Sequence, residues 1–343
     1  MKILVTGCSG YIGYPLVVEL LNNTVFDIIG IDNGNRESWV AKCGGNNFST
    51  PVIPGMYKED FSRIKPIIGD LTDKNFVYEI LQIHKPDVII HLASQPSMPY
   101  SDLNGDRAIF TQTNNLVMLL NLLWGARENG LSPKFIVTTT TGIYGQVNKV
   151  NPESHAPNLA GSWYHVSRGF DSANLNLASR QFGFEVVEFR TSIVYGLATQ
   201  TMGRLLLTTR FDTDTYFGTA LNRFIDQALK GEAITIYGKG NQQKPFISLN
   251  DTVISLVNAI TYKFADKHTI LNQTTINISI NDLAELVRLF TNCEVKHIPN
   301  PRKEKEDWNM TFENKKFLEL LGKEPDSITQ GIKEMVGILN QKV

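Results

Sequence analysis

Two clusters of residues in this sequence have the types and spacing to do chemistry. The first is Gly7-Cys8-Ser9-Gly10-Tyr11-Ile12-Gly13, between the apolar run Lys2–Thr6 and a helical pattern. In such a turn Gly7 permits the tight bend, Gly10 lets backbone approach a pyrophosphate and Gly13 lets helix pack on strand. The phosphates then lie on a helix N-terminus, where unpaired N–H groups and the dipole favour negative charge. Asp32 ends the next strand-like run. A carboxylate there accepts hydrogen bonds from an adenosine ribose and repels a 2′-phosphate, which favours NAD over NADP. Asp70, after Gly69, is in place to reach an adenine amino group. Its competing role is a helix N-cap, for which Thr72 or Asp73 is better placed. His91-Leu92-Ala93-Ser94 ends a further strand with small residues that let backbone run past a cofactor; His91 itself reads as a packed histidine.

The second cluster is Thr138-Thr139-Thr140-Thr141 with Trp163-Tyr164-His165-Val166-Ser167-Arg168. A threonine hydroxyl at the C-terminal end of a parallel strand faces the place where open α/β sheets bind ligands. Four threonines are also simply good strand formers. Tyr164 and Arg168 are four apart, on one face of a helix. A tyrosine, with an ordinary pKa of about 10, serves as a base near neutrality only if an adjacent cation lowers that value. Arg168 is expected to do so; an exposed stacking pair is the plainer reading.

The elements that must position these residues follow from periodicity. Short apolar runs alternate with helical patterns through the first half, which argues βαβ units and a parallel sheet. Strands are expected at Lys2–Thr6, Phe26–Ile31, Lys65–Gly69, Asp87–Leu92, Lys134–Thr139 and Glu185–Arg190. Helices are expected at Tyr11–Asn22, Asp73–His84, Asp102–Asn129 and Ser162–Phe182. A long loop, Asn33 to Arg63, separates the second and third strands. Beyond Gly196 the spacing predicts helices at Tyr216–Lys230, Asp251–Tyr262 and Ile280–Phe290, a strand at Ala233–Tyr237 and a charged helical tail. The reading is a Rossmann-type doubly wound α/β domain over residues 1–196 and a smaller C-terminal lobe over 197–343, with some crossing of the chain between them.

With 343 residues, 42% hydrophobic and 20% charged, the chain is long enough to bury a large core and is not a disordered or low-complexity protein. Thirty-three basic against thirty-four acidic residues leave a net charge of −1, which gives no case for nucleic acid or an anionic membrane as partner. No run approaches the roughly 20 apolar residues of a membrane helix. Cys8, Cys43 and Cys293 form no CxxC pair, and the six histidines have no ligand-spaced partner, so reduced thiols, a cytoplasmic location and no metal are expected.

Thr6-Gly7-x-x-Gly10-Tyr11-Ile12-Gly13, Asp32-Asn33, Gly69-Asp70-Leu71, His91-Leu92-Ala93, Thr140-x-x-x-Tyr144-Gly145 and Tyr164-x-x-x-Arg168 together resemble the extended short-chain dehydrogenase/reductase family of nucleotide-sugar epimerases and dehydratases. Gln95-x-Ser97-x-Pro99-Tyr100-Ser101, Phe217-Gly218-Thr219-Ala220-Leu221-Asn222-Arg223-Phe224, Ile236-Tyr237-Gly238-Lys239-Gly240, Ile298-Pro299-Asn300-Pro301-Arg302 and His165 are similar to segments of UDP-sulfoquinovose synthases. The resemblance implies an NAD that takes hydride from C4 of a UDP-hexose, with Tyr164 removing the hydroxyl proton and Thr140 sharing that hydrogen bond. The resulting 4-keto sugar can then epimerise, lose water or add a nucleophile such as sulfite. His165 becomes an acid/base candidate, with helix packing as its alternative.

The same resemblance implies cofactor contacts at Gly7, Ser9, Gly10, Tyr11, Ile12, Gly13, Asp32, Asn33, Asp70, Leu71, Leu92, Ala93, Ser94, Asn115, Thr138, Tyr164 and Arg168. It implies substrate contacts at Gln95, Ser97, Thr140, Thr191, Asn222, Arg223, Tyr237, Lys244 and Arg302, and a homodimer paired through the two long helical regions. This sequence departs from the family pattern in five places, one of them Lys244, which stands where an arginine is common. Arg168 stands for a lysine, Pro96 for an arginine and Arg36-Glu37 for an arginine pair, while Thr141-Gly142 replaces the Asp-Glu of 4,6-dehydratases. A plain NDP-hexose 4-epimerase or deoxysugar-pathway dehydratase is the alternative enzyme. A non-catalytic NAD-binding regulator is the alternative of another class.

Overall fold

The computed structural model describes residues 1–44, 63–145, 149–301 and 309–341. The chain runs β1 (Lys2–Thr6), α1 (Gly13–Asn23), β2 (Asp27–Asp32), α2 (Asn35–Lys42), β3 (Ile64–Ile68), α3 (Lys74–His84) and β4 (Val88–His91). There follow α4 (Met98–Ser101), α5 (Gly105–Glu128), β5 (Lys134–Thr140), a 3-10 turn over Thr141–Tyr144, β6 (Val150–Asn151), α6 (Trp163–Phe182), β7 (Val186–Thr191) and β8 (Ile193–Tyr195). The second half holds α7 (Gln200–Arg204), α8 (Ala220–Leu229), β9 (Ile234–Tyr237), β10 (Gln243–Ser248), α9 (Leu249–Thr261), β11 (His268–Gln273) and β12 (Ile276–Ser279). It closes with α10 (Ile280–Thr291), β13 (Val295–Ile298), β14 (Thr311–Phe312), α11 (Lys315–Leu321) and α12 (Ile328–Asn340).

Seven strands form one parallel sheet in the order β11-β7-β5-β4-β1-β2-β3. The order reverses between β1 and β4, and the crevice outside their carboxyl ends is the natural ligand position of a doubly wound sheet. Alternation along the strands feeds two cores. Ile3, Val5, Ile90 and Ile136 face α1, α9 and α11, while Leu4, Ile89, Phe135 and Val137 face α3, α5 and α6. A third core joins α8, α10 and α12 to β9 and β10 through Phe224, Ile236, Phe246, Leu283 and Ile332.

Several expectations shift. The loop expected from Asn33 begins instead with α2, whose Val40 is buried among Tyr100 and Phe217; residues 45–62 of that loop lie outside the described residues. The helix expected from Tyr216 starts at Ala220, because the Thr219 side chain accepts from Asn222 N and caps it there. The C-terminal tail is two amphipathic helices rather than a solvated one, with Ile332, Met335 and Leu339 buried. Four-to-six-residue strands after residue 240 pass unnoticed in the sequence, including β11, which completes the sheet that begins at residue 2.

Candidate active site

A cavity of about 480 Å³ opens where β1, β2, β4 and β5 end, walled on the other side by α8 and β10. Its floor is the glycine turn. Gly7 has φ +72, and a Cβ there would lie 2.7 Å from the Ala93 backbone nitrogen. A Cβ on Gly13 would lie 2.0 Å from the Gly7 carbonyl oxygen, so α1 can approach the turn only through glycine. Asp32 closes the arrangement: Oδ2 accepts from Ser9 N and Oδ1 from Gly34 N, each at 2.9 Å. Bare backbone at a helix N-terminus with a carboxylate beside it fits the diphosphate and ribose of a dinucleotide.

Gly7, Gly10, Tyr11, Ile12, Gly13, Asp32, Asn33, Leu71, Leu92, Ala93, Ser94 and Thr138 all line this cavity. Ser9 contributes its backbone to Asp32. Asp70 Oδ1 accepts from the backbone and hydroxyl of Thr72 at 2.8 Å and its Oδ2 from Nδ2 of the cavity residue Asn33 at 3.4 Å, while Asp73 is the cap of α3. His91 is fully buried, Nδ1 bonded to Thr6 Oγ1 at 2.8 Å, and burial pushes its pKa down to about 3. Asn115, Gln95 and Ser97 sit behind the wall. The Asn115 side chain accepts from Gln95 N at 2.8 Å, and Ser97 caps α4. Asn114, next along α5, faces the cavity instead.

Thr140, Tyr164, His165 and Arg168 meet on one side of the cavity. Thr140 caps the 3-10 turn, its Oγ1 accepting from Gly142 N at 3.1 Å. Ser162 caps α6 through His165 N at 3.2 Å and also meets His165 Nδ1 at 2.9 Å. The cap therefore fixes both the helix that carries Tyr164 and the neighbouring ring. Burial pushes the His165 pKa down to about 4, with the Lys244 cation adding to the effect, so the imidazole is neutral at pH 7. Arg168 is 2% exposed, its Nη1 2.7 Å from Asp171 Oδ2 and its Nη2 donating to the Thr138 carbonyl.

One expectation is corrected at Tyr164. Arg168 and, more weakly, Arg36 favour the phenolate, but burial opposes it more strongly and Asp171 reinforces the burial. The phenol is therefore held above its ordinary pKa rather than below it.

On the opposite wall stand Asn222 and Lys244, with Thr191 at the end of β7. Asn222 Nδ2 donates to the Asp212 carbonyl at 3.0 Å; Thr191 Oγ1 donates to Gln273 Oε1 at 2.7 Å. Arg223 and Tyr237 stack on each other, guanidinium to ring centroid 4.0 Å, away from the cavity. Arg302 lies outside the described residues. Trp39, Arg210 and Asp212 also line the cavity, and no motif or spacing marks them. Asp212 ties the two sides together, accepting from Arg36 at 2.8 Å and Arg210 at 3.0 Å, while Arg36 lies 4.0 Å over the Phe217 ring. An Arg-x-Asp in an irregular segment carries no periodic signal. Asp171, three residues beyond Arg168, belongs to no motif, and its helical spacing to Arg168 is the one signal that marks it.

A family model described as the NAD dependent epimerase/dehydratase family matches residues 3–279, a span that contains both the glycine turn and Tyr164. The chain belongs to this family. It is accordingly an enzyme with NAD as cofactor. Two relatives are UDP-sulfoquinovose synthases. That of Sulfolobus acidocaldarius is 31% identical over 90% of this chain and 84% of its own. The chloroplastic one of Spinacia oleracea is 30% identical over 98% of this chain and 74% of its own. The fold is shared with UDP-glucose 4-epimerase from Thermotoga maritima, at TM-score 0.79 and 24% identity over all of this chain and 99% of the other. Among the described residues no helix is long and apolar enough to cross a membrane.

Proposed function

We propose that this chain oxidises C4 of a UDP-hexose to a 4-keto intermediate, in the manner of UDP-sulfoquinovose synthases. One observation carries the reading. A single cavity joins the glycine turn and Asp32 to Thr140, Tyr164 and His165, and then to Asn222 and Lys244 on the facing lobe. Bound NAD supplies a hydride acceptor there. Gly7, Ser9, Gly10, Tyr11, Ile12 and Gly13 would hold its diphosphate, and Asp32, Asn33 and Asp70 its adenosine. Leu71, Leu92, Ala93, Ser94, Asn115 and Thr138 would pack or position the remainder. Lys244 and Asn222 hold the uridine diphosphate and Thr191 shapes the hexose pocket, while Gln95 and Ser97 support that wall from behind. Tyr164 takes the proton of the C4 hydroxyl as its phenolate, the form that Arg168 and Arg36 favour against burial, and Thr140 Oγ1 shares that hydrogen bond. Neutral His165 is in the right protonation state to accept a proton from C5.

A plain 4-epimerase is the second reading, favoured by Pro96 in the cavity wall and by Arg36 being paired with Asp212. Both leave less positive charge for an anionic nucleophile. A 4,6-dehydratase is disfavoured, since the His165 ring occupies the space that a side chain at position 142 would need.

Incubating the purified protein with UDP-glucose, with and without sulfite, and following bound NADH and the products decides among these. Transient NADH that disappears in Tyr164→Phe supports C4 oxidation, and a sulfonated sugar formed only with sulfite supports the first reading. No NADH with any nucleotide sugar rejects both. The α5 and α6 surfaces expose Ile109, Trp124, Phe170 and Leu177, which suit a homodimer; a monomeric mass in solution would reject that pairing. The free thiols of Cys8, Cys43 and Cys293 suit the reducing cytoplasm.

A further inference from the structure

We propose that Asp171 is a positioning residue of this site: it holds the Arg168 guanidinium against the carboxyl end of β5 and cancels part of its charge, and so sets the acidity of Tyr164. The inference rests on the reading of Tyr164 as the proton acceptor at C4. Its geometry is a buried relay along one helix face. Tyr164 and Arg168 line the cavity, while Asp171 lies one turn further in, fully buried, with Oδ2 2.7 Å from Arg168 Nη1. The second prong of the guanidinium donates to the Thr138 carbonyl, at the end of the strand that carries Thr140. The planar guanidinium directs one N–H at the strand end and meets Asp171 as a close ion pair without a hydrogen bond, whereas an ammonium is a point charge. With Arg168 in place of a lysine, the carboxylate and the strand end together fix where the cation lies.

The surrounding charges define what Asp171 can change. Tyr164 faces Arg168 and Asp171 on its own helix and Arg36 from α2. Asp171 faces Arg168 and, from β7, Glu188, which is itself bonded to Arg190 and to His268 of β11. His91 of β4 lies near Arg168 but is neutral. Burial, with Glu188 adding, pushes the Asp171 carboxyl up to about 7 against the pull of Arg168. Its charge therefore varies around neutral pH, and with it the share of the Arg168 charge that Tyr164 experiences. Asp171 ionised raises the Tyr164 pKa; Asp171 neutral lets it fall.

The test compares the NAD-loaded native protein with Asp171→Asn and Asp171→Glu. Ionisation of Tyr164 is read from tyrosinate absorbance, as the difference between each protein and the same protein carrying Tyr164→Phe, because the chain has 11 tyrosines. In Asp171→Asn the Tyr164 titration moves to lower pH, and the acid limb of kcat/KM for reduction of bound NAD by UDP-glucose moves with it. A folded Asp171→Asn protein whose Tyr164 titrates as in the native one overturns the proposal. Asp171→Glu keeps the charge and displaces the carboxylate, so kcat falls roughly tenfold with KM unmoved; an Asp171→Glu protein as fast as the native one also overturns it. Should Asp171→Asn not fold, this second variant decides alone. If no nucleotide sugar reduces the cofactor of the native protein, the proposed function fails, and the titration still decides the role of Asp171.

Discussion

Replacing Gly142 by alanine tests whether the ring of His165 and the turn below it are one packed unit. The added Cβ would stand 2.2 Å from His165 Cδ2, 2.4 Å from Nε2 and 2.6 Å from Cγ. Ordinary contact begins at 3.4 Å, so something must move by more than an ångström. If the ring yields, it gives up the 2.9 Å contact of Nδ1 with Ser162, worth about 1 kcal/mol. If the turn yields, it moves Thr140, whose hydroxyl accepts from Gly142 N. Overpacking of this kind costs about 1–3 kcal/mol, and a one-ångström displacement of a reacting group costs about a hundredfold in rate. Gly142→Ala is therefore expected to lower unfolding stability by about 2 kcal/mol and kcat by one to two orders of magnitude. The assay is a double-mutant cycle with His165→Ala, followed by denaturant unfolding. With the ring removed, the three nearest atoms that an alanine at 142 would strike are gone, and a coupling of about 1 kcal/mol or more should appear. Equal destabilisation by Gly142→Ala in both backgrounds would refute the argument.

Glu188 is buried and accepts from Thr139 and Ser172 at 2.9 and 2.8 Å, with Arg190 and His268 each at 3.2 Å. Its pKa is pulled from 4.5 down to about 2, so the stability it contributes is present above pH 4.5 and is lost as pH falls towards 2. Glu188→Gln should remove that acid-dependent part and cost on the order of 3 kcal/mol at neutral pH, read from unfolding at several pH values. Lys244→Ala removes a cation that holds the His165 pKa down, so the His165 titration, followed by NMR, should rise from about 4. Asp32→Ala frees the Ser9 and Gly34 amides and removes the charge that repels a 2′-phosphate. Cofactor exchange should then show the preference for NAD over NADP fall by at least about tenfold.

The doubly wound half was legible because its physics is local. Strands buried on both faces read as continuous apolar runs, and a strand-glycine-helix junction allows few backbone solutions. Gly7 and Gly13 are required by contacts within a dozen residues and with Ala93, so the motif alone places them. The second half was harder for a physical reason. β10 is Gln243–Ser248, half-buried at its start, broken by Pro245 and buried on both faces beyond it, and β12 is only the four residues Ile276–Ser279, so their pairing is fixed by tertiary contact rather than pattern. β11 joins the sheet from far along the chain, and nothing in its six residues says which sheet it belongs to.

The same division runs through the site. Roles carried by backbone geometry or by helix spacing are legible in the sequence, whereas those that depend on an ion pair between distant segments are not. Arg36 and Asp212 are 176 residues apart and 2.8 Å apart in space. Tyr164 shows why spacing alone misleads about chemistry. A cation one helical turn from a phenol is visible in the sequence, and Arg168 does favour the phenolate. Desolvation depends on what surrounds the hydroxyl in three dimensions, and here it is the larger effect. The acidity of Tyr164 is thus a balance among burial, Arg168, Arg36 and Asp171. A substitution at any of these three charged positions should shift the pH profile without altering the residue that takes the proton.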